Sequence, residues 1–398
     1  MIQYREKGVK FMKALVLSGG GSKGSYQIGV WKALKKLNIK FDIVTGTSVG
    51  ALNGALITQK SYFRAIKLWK KINLKLLFGE DAISSTDDLN VMKMYGKQFI
   101  KNGGMEVKKL ENLIEKEIKY KKFINSNINY GLVTFNLTSK KPIQITKKDI
   151  PKDLIGDYLM ASASCYPAFK QKDIQGEKYI DGGFFDNLPI NLALDMGAEE
   201  IIAVDLSAPG INRTPKKKVP TIKIKPNNKL TNFLNFYEDG AKRNIKLGYN
   251  DTLKKFGKLE GKKYTFRKNT MKKNKEKHFE TFTYFLEKIL NNKKAMESFE
   301  KLINLSNVPP QKIIDKIGLK VMEDLAKDFN LDDTKVYSES SFNRQLRKKL
   351  TKGNTKEIKD LKNLIKEIKE NKRGLKKKIL LNPWDFLKAL YLYTISEA

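Results

Sequence analysis

Short apolar runs alternate with amphipathic stretches along this chain, and the alternation is sharpest in the first sixty residues. Lys13-Ala14-Leu15-Val16-Leu17-Ser18 is a nearly unbroken apolar run stopped by three glycines, as expected of a strand buried on both faces that feeds a tight loop. Apolar positions then recur near helical spacing at Ile28, Val30, Trp31, Leu34 and Leu37, with Asn38 as a stop. Phe41 to Thr45 reads as a second strand, and Ala51 to Thr58, small and apolar, as a helix packed on a sheet. The order strand, glycine loop, helix, strand, turn, helix predicts an α/β fold with βαβ connections. Further strands are expected at Tyr130 to Asn136, Ile201 to Leu206 and Thr221 to Ile224. The mixed polar helical stretch before Tyr130 is expected to cap the site. After about residue 256 lysine-rich amphipathic segments take over, such as Phe279 to Leu290 and Lys356 to Glu370. The expected organisation is an extension over residues 1–11, a folded domain over 12–256 and a helical basic region over 257–398.

Two glycine-flanked motifs lie in that first stretch: Gly19-Gly20-Gly21-Ser22-Lys23-Gly24 and Gly46-Thr47-Ser48-Val49-Gly50. The second fits a nucleophile turn, where a serine between strand and helix needs small neighbours because the junction is crowded. Gly46 and Gly50 meet that need. The first has three readings. A phosphate-binding P-loop requires Gly-Lys-Ser/Thr after a longer spacing, which Lys23-Gly24-Ser25 does not supply. A dinucleotide fingerprint fits Gly19, Gly21 and Gly24 but needs an acidic residue at the far end of the second strand, where Ser48 follows instead. An oxyanion hole requires only converging backbone N–H groups, and the nearby serine favours it.

Composition narrows the chemistry. The 398 residues contain one histidine, His278, far from both motifs, so a Ser-His-Asp triad is not expected. The one cysteine, Cys165, excludes an intramolecular disulfide and a multi-cysteine zinc site, and no metal or diffusible cofactor is expected. No apolar run approaches the roughly 18 to 20 residues that span a bilayer, and Met1 to Met12 is too polar for a signal peptide, so a cytoplasmic protein is expected. The net charge of +35 invites a nucleic-acid reading. Residues 1–210 carry 32 basic and 21 acidic side chains, net +11, which leaves +24 for residues 211–398. Only 8 of the 78 basic residues are arginine, the usual choice for reading bases and phosphates. General lysine bias, or attraction to an anionic membrane surface, accounts for the excess better than specific nucleic-acid binding.

Without histidine the base must be a carboxylate. Asp181 stands out in Tyr179-Ile180-Asp181-Gly182-Gly183, because two glycines after an apolar run leave it uncrowded; Asp186, Asp195 and Asp205 are its rivals. Asp-Gly is also a common turn dipeptide. The pieces G-G-G-x-K-G, G-T-S-V-G and D-G-G, in that order, closely resemble the patatin-like phospholipase family. Ala161 to Phe169, Asn187-Leu188-Pro189 and Gly248-Tyr249-Asn250-Asp251 support the resemblance, which covers about residues 13–207 and fades by 255.

The resemblance implies a three-layer α/β/α sheet and a Ser-Asp dyad of Ser48 and Asp181, supported by Gly46, Gly50, Gly182 and Gly183. Gly20 and Gly21, preceded by Gly19 and closed by Lys23 and Gly24, fall on the family's oxyanion positions, with Lys23 where arginine is common. The implied activity is hydrolysis of carboxylic esters in phospholipids or related lipids, of phospholipase A or lysophospholipase type. An acyltransferase using the same acyl-enzyme and an inactive basic membrane-binding module are the alternatives. Near the C-terminus, Trp384, Phe386, Leu387, Leu390, Tyr391 and Tyr393 follow the cluster Lys376-Lys377-Lys378. That segment, from about Pro383 to Ile395 with Asn382 as a cap, reads either as a helix docked on its own domain or as one resting on an anionic membrane.

Overall fold

A computed structural model describes residues 11–79, 82, 85–270, 310–370 and 381–396. The chain divides into two compact units, residues 1–252 and 253–398. The expected helix at Phe279 to Leu290, His278, the lysine cluster 376–378 and all of the expected extension except Phe11 lie outside the described residues.

The first unit is built on a sheet ordered β5-β6-β3-β2-β1-β7-β8, with β4 also paired to β3. Its strands are β1 Lys13–Leu17, β2 Ile43–Thr47, β3 Asn129–Asn136, β4 Lys141–Thr146, β5 Lys172–Ile174, β6 Glu177–Asp181, β7 Glu200–Val204 and β8 Thr221–Ile224. Neighbours from β3 across to β8 run parallel. Both faces of the central strands are covered: Ala14, Leu15, Val16 and Leu17 are all buried, and so are Ile43 and Val44. That is why β1 reads as an unbroken apolar run and does not alternate.

One face carries the helices α1 Gly24–Lys36, α2 Val49–Thr58 and α8 Ile155–Ala163. The other carries α9 Ile190–Asp195, where Leu188, Ala193 and Ala198 pack on Ala14, Val16, Ile43, Ile201 and Ala203. The result is an α/β/α layered fold. Helix α10, Glu238–Lys255, lies against α1 at van der Waals closeness, because a Cβ on Gly29 would sit 2.0 Å from the Ile245 carbonyl oxygen and one on Gly248 2.1 Å from that of Tyr26. The Tyr26 hydroxyl completes the seam by donating to Asp251 Oδ2 at 3.0 Å. Between α2 and β3 run α3 Tyr62–Lys70, α4 Leu74–Phe78, α5 Asp88–Asn102, α6 Lys108–Glu117 and α7 Tyr120–Ile124.

The sheet departs from a pure βαβ pattern at one edge. Strands β4, β5 and β6 are antiparallel additions. Strand β3 aligns two of its neighbours: Thr47 at the end of β2 pairs with Val133, and Asp181 at the end of β6 pairs with the next residue, Thr134. Because β6 runs against β3, its last residue arrives at the level where β2 stops.

The second unit contains three strands, β9 Leu259–Glu260, β10 Thr265–Arg267 and β11 Val336–Tyr337, in a sheet ordered β11-β10-β9. Helices Pro310–Asp328, Glu339–Lys352, Lys356–Lys369 and Pro383–Ser396 accompany it. Ser338 and Ser341 form a reciprocal capping box at the start of the second of these, satisfying N–H groups that a helix N-terminus leaves free. The C-terminal helix is docked within this unit. Phe386, Leu387, Leu390, Tyr391, Leu392 and Ile395 are buried in the core, so the aromatic face read as resting on a membrane is not available to one. Among the described residues no helix is long and apolar enough to cross a membrane.

Phe342 lies at the centre of that core, fully buried and edge-on to Phe266, Tyr337 and Tyr391 at centroid separations of 5.3, 5.7 and 6.5 Å. Phe342→Ala removes the shared ring and leaves a cavity, and is expected to cost about 3–5 kcal/mol. Chemical denaturation followed by circular dichroism measures it.

Candidate active site

Ser48 is the residue between β2 and α2, and its backbone is held at φ 57° and ψ −127°. Side chains other than glycine avoid positive φ, so packing must impose this conformation. A Cβ on Gly46 would lie 2.3 Å from the Gly50 carbonyl oxygen, and one on Gly50 2.3 Å from that of Leu17. Only glycine fits at either place, as the spacing anticipated. The Ser48 N–H donates to Ser162 Oγ at 2.9 Å, and the Ser162 hydroxyl donates in turn to the Val133 carbonyl at 2.7 Å. Ser162, on α8, therefore fixes the turn from beneath. As the N-cap residue of α2, Ser48 also sits at the positive end of that helix.

Asp181 reaches Ser48 from β6, and the Ser48 hydroxyl is near enough to its carboxylate to favour the ionised form. Asp181 Oδ1 accepts the Gly183 N–H at 2.7 Å. Burial raises the Asp181 pKa to about 6, against the opposing pull of the Ser48 hydroxyl and the Gly183 N–H. Gly182 permits the approach, since a Cβ there would stand 2.1 Å from the Val133 carbonyl oxygen.

The rival aspartates separate on geometry. Burial also lifts Asp186 to about 6, but its Oδ1 faces the N–H groups of Leu188 and Arg213 and its Oδ2 has no hydrogen-bond partner among the described residues. Burial pushes Asp205 up, yet hydrogen bonds from Lys223, the Ser207 N–H and Lys225 outweigh it and leave the pKa lowered. Asp195 pairs with Lys216 at the surface. None of the three accepts from Ser48.

The glycine loop leaves β1 and turns into α1. Four of its N–H groups are used within the fold: Gly19 donates to the Asn187 carbonyl at 3.0 Å, Ser22 to Phe233 at 2.8 Å, Lys23 to Gly20 at 3.1 Å, and Gly24 to Gly21 and Ser22. The N–H groups of Gly20 and Gly21 have no acceptor among the described residues, and both glycines line the same cavity as Ser48 and Asp181. Gly21 has φ 52°, and a Cβ there would fall 2.0 Å from the Phe233 carbonyl oxygen. The Lys23 side chain is directed elsewhere, its Nζ donating to the Ser207 carbonyl at 3.3 Å. Neither Lys23 nor Gly24 lines the cavity; both close the turn.

Asn187 ties the two loops together. Its carbonyl takes the Gly19 N–H, and its side chain fills the space beside Gly19, Gly183 and Gly210. It follows the D-G-G segment closely in sequence, but only the folded loops reveal this role.

Ser48 stands between two cavities. One, of about 380 Å³, is lined by Gly20, Gly21, Asp181, Asn187 and the exposed rim residues Phe184 and Ile211. The other, narrower at about 90 Å³, runs beneath α3, α4 and α6 among Val49, Leu52, Leu56, Trp69, Leu77 and Phe169. It is almost wholly apolar, and Gly21, Ser48 and Phe169 belong to both. Cys165 borders the first, with its thiol pushed up to about 12 by burial and by the charge of Asp181, so it is not a competing nucleophile. The arrangement lines one cavity with a hydroxyl, a buried carboxylate and two N–H groups that have no acceptor among the described residues, and an apolar cavity adjoins it at Ser48.

A family model described as patatin-like phospholipase matches residues 15–194. The chain is 29% identical over 200 residues to patatin-like phospholipase domain-containing protein 7 of Rattus norvegicus, a match covering 49% of this chain and 14% of that protein. It is likewise 29% identical over 199 residues to lysophospholipase nte1 of Aspergillus terreus, covering 49% and 12%. This chain thus spans a small part of the length of the curated relatives it matches. Among solved structures, VipD from Legionella pneumophila aligns at a TM-score of 0.43 and 15% identity over 98% of this chain and 91% of that one.

The raised Asp181 pKa has a consequence for stability. Between pH 3.8 and about 6 the folded chain holds a proton that the unfolded chain has released, so stability falls as pH rises through this window, and the whole deficit is present above it. Asp181→Asn removes the ionisation. The variant is expected to be about 1–3 kcal/mol more stable than wild type at pH 8, with no advantage near pH 3.5, by urea denaturation at the two pH values. Asp186 titrates in both proteins and cancels from the comparison.

Proposed function

We propose that the protein, whose residues 15–194 match the patatin-like phospholipase family model, is a serine lipid acyl hydrolase cleaving carboxylic esters of phospholipids or related lipids, with Ser48 as nucleophile and Asp181 as base. The observation that carries this reading is the placement of Ser48, on its strained turn, beside a buried carboxylate at the wall of one cavity. The free N–H groups of Gly20 and Gly21 support it. So does the apolar channel at Ser48, which has the character of an acyl-chain site.

In this mechanism Ser48 Oγ attacks the ester carbonyl carbon while its proton passes to Asp181. The carbonyl oxygen becomes an oxyanion, held by Gly20 and Gly21 with donors that each contribute roughly 3–4 kcal/mol in comparable sites. Collapse breaks the ester bond, and the departing alkoxide takes the proton from Asp181, leaving acyl-Ser48. Water then attacks the acyl carbon and gives a proton to Asp181. The second collapse releases the fatty acid and returns that proton to Ser48 Oγ. A free aspartate, with a pKa of ~3.9, is a weak base at neutral pH. Burial of Asp181 strengthens it while leaving it mostly ionised above its raised pKa of about 6. Hydrolysis of lysophospholipid, as named for the Aspergillus relative, is the activity to test first.

Ser48→Ala is expected to abolish ester hydrolysis and labelling by a fluorophosphonate probe, and Asp181→Asn to lower kcat by about a thousandfold or more. His278→Ala is expected to change neither. Sustained turnover by a folded Ser48→Ala protein would sink the assignment.

Because Asp181 must be ionised to accept the proton, kcat/KM is expected to rise tenfold per pH unit on the acid side and level off above a midpoint near 6. A pH–rate profile on a soluble ester measures this; a midpoint near 4 would point to an exposed carboxylate as the base.

A further inference from the structure

Helix α5 has an unusual outer surface. Its buried side, Val91, Met94 and Tyr95, faces the first unit, while Leu89, Met92, Phe99 and Ile100 are exposed at 72, 45, 39 and 86%. At 3.6 residues per turn these four and Gly96 fall within about 100° of arc next to the buried side, and Lys93, Lys97 and Lys101 follow as a strip within about 80°. The exposed face is thus an apolar band bordered by a row of cations. Neither helix propensity nor core packing calls for four exposed large apolar side chains on one helix.

The position of α5 gives that face a meaning. The Tyr95 hydroxyl donates to the carbonyl of Leu234, a residue that lines the outer cavity at Ser48, at 3.0 Å. The Tyr95 ring lies 6.1 Å from Phe169, which borders both cavities. Phe99, at the edge of the exposed band, packs edge-on against Tyr166 at 5.9 Å, and Tyr166 adjoins the cavity-lining Cys165. After the helix stops at Gly103, the chain is tied to the same wall by the Met105 N–H donating to the Ala168 carbonyl at 2.9 Å. The aromatic contact of Phe99 with Tyr166 and the Tyr95 bond to Leu234 therefore set the outer face of α5 beside the wall of the cavity at Ser48.

We propose that α5 is the surface by which the protein docks on an anionic lipid bilayer, with Leu89, Met92, Phe99 and Ile100 entering the headgroup–acyl boundary and Lys93, Lys97 and Lys101 meeting lipid phosphates. This rests on the reading of Ser48 as a lipid hydrolase, which makes the bilayer the source of substrate. The occupant is set by charge complementarity, since a lysine row beside an apolar band matches an anionic interface, and by the contacts of Tyr95 and Phe99 that place the band next to the cavity at Ser48.

The surface is tested apart from the chemistry by sedimenting the Ser48→Ala protein with vesicles of phosphatidylcholine, with and without phosphatidylglycerol. Binding to the anionic vesicles is expected. Adding Leu89→Asp and Ile100→Asp should weaken it at least about tenfold. Lys93→Gln, Lys97→Gln and Lys101→Gln should each weaken it about fivefold on anionic vesicles only. With Ser48 intact, Leu89→Asp/Ile100→Asp should lose hydrolysis of vesicle lipid and retain turnover of a soluble short-chain ester. Absence of vesicle binding, or binding that survives the two aspartates, overturns the proposal. If the wild type turns over no ester and its serine is not labelled, the catalytic reading fails, while vesicle sedimentation still decides the role of α5.

Discussion

The backbone of one residue governs the site. Ser48 is held at positive φ, a conformation its Cβ disfavours by an amount on the order of 1–3 kcal/mol, and the surrounding fold over-determines it. Gly46 and Gly50 leave room for the turn to close on itself and on the end of β1. Ser162 anchors the turn's N–H and is anchored by β3. Relaxation to an ordinary conformation would break that hydrogen bond and drive the turn into atoms already in contact. The hydroxyl is therefore displayed by constraint, at the N-terminus of α2 and in reach of groups from other elements.

Bringing the carboxylate to that hydroxyl is a matter of sheet register. The five parallel strands alone would put loops, and no strand end from another direction, around Ser48. By adding β6 antiparallel to β3, the fold lets Asp181 arrive against the grain and stop beside the residue that pairs with Thr47. Burial then makes the carboxylate basic, at the expense of stability above its pKa. The same low-polarity setting strengthens a hydrogen-bond donor aimed at the cavity, which gives the two unengaged glycine N–H groups their leverage.

Much of this arrangement was legible in the sequence where local pattern and packing agree. The run at residues 13–17, the glycine loop, the small-residue turn at Ser48 and the apolar helix after it all announce themselves, because both faces of those elements are buried and glycine is sterically required. The antiparallel edge did not. Strand β5 is only three residues long, and the sequences KPIQIT of β4 and KDI of β5 keep polar side chains on an exposed or half-exposed face. Asp181 could be singled out among aspartates only by its two glycines, and a turn aspartate looks the same. Ser162 gave no signal of its role, since a buried serine on a small-residue helix is ordinary packing until its partners are seen. The C-terminal aromatics were open to two readings, and the sequence could not choose between a docked and an exposed face. Tertiary packing decided it, burying Phe386, Leu390 and Tyr391.

The contrast between that helix and α5 separates two uses of apolar residues that look alike in sequence. In the C-terminal helix large side chains have found partners, and Tyr391 donates to Asn343 Oδ1 at 2.8 Å within the core. On α5 one face is satisfied in the same manner, Tyr95 donating to the Leu234 carbonyl, while Leu89 and Ile100 on the adjoining band are exposed at 72 and 86%. Keeping such a band wet has an unfavourable hydration free energy of roughly 25 cal/mol per Å² of apolar surface that a partner could cover. A lipid substrate has the complementary difficulty, because its acyl chain must leave the bilayer to reach a buried serine. With α5 on the bilayer as proposed, the apolar band lies beside the cavity that opens at Ser48, which shortens the passage through water, and the lysine row holds that face against the phase from which the chain comes.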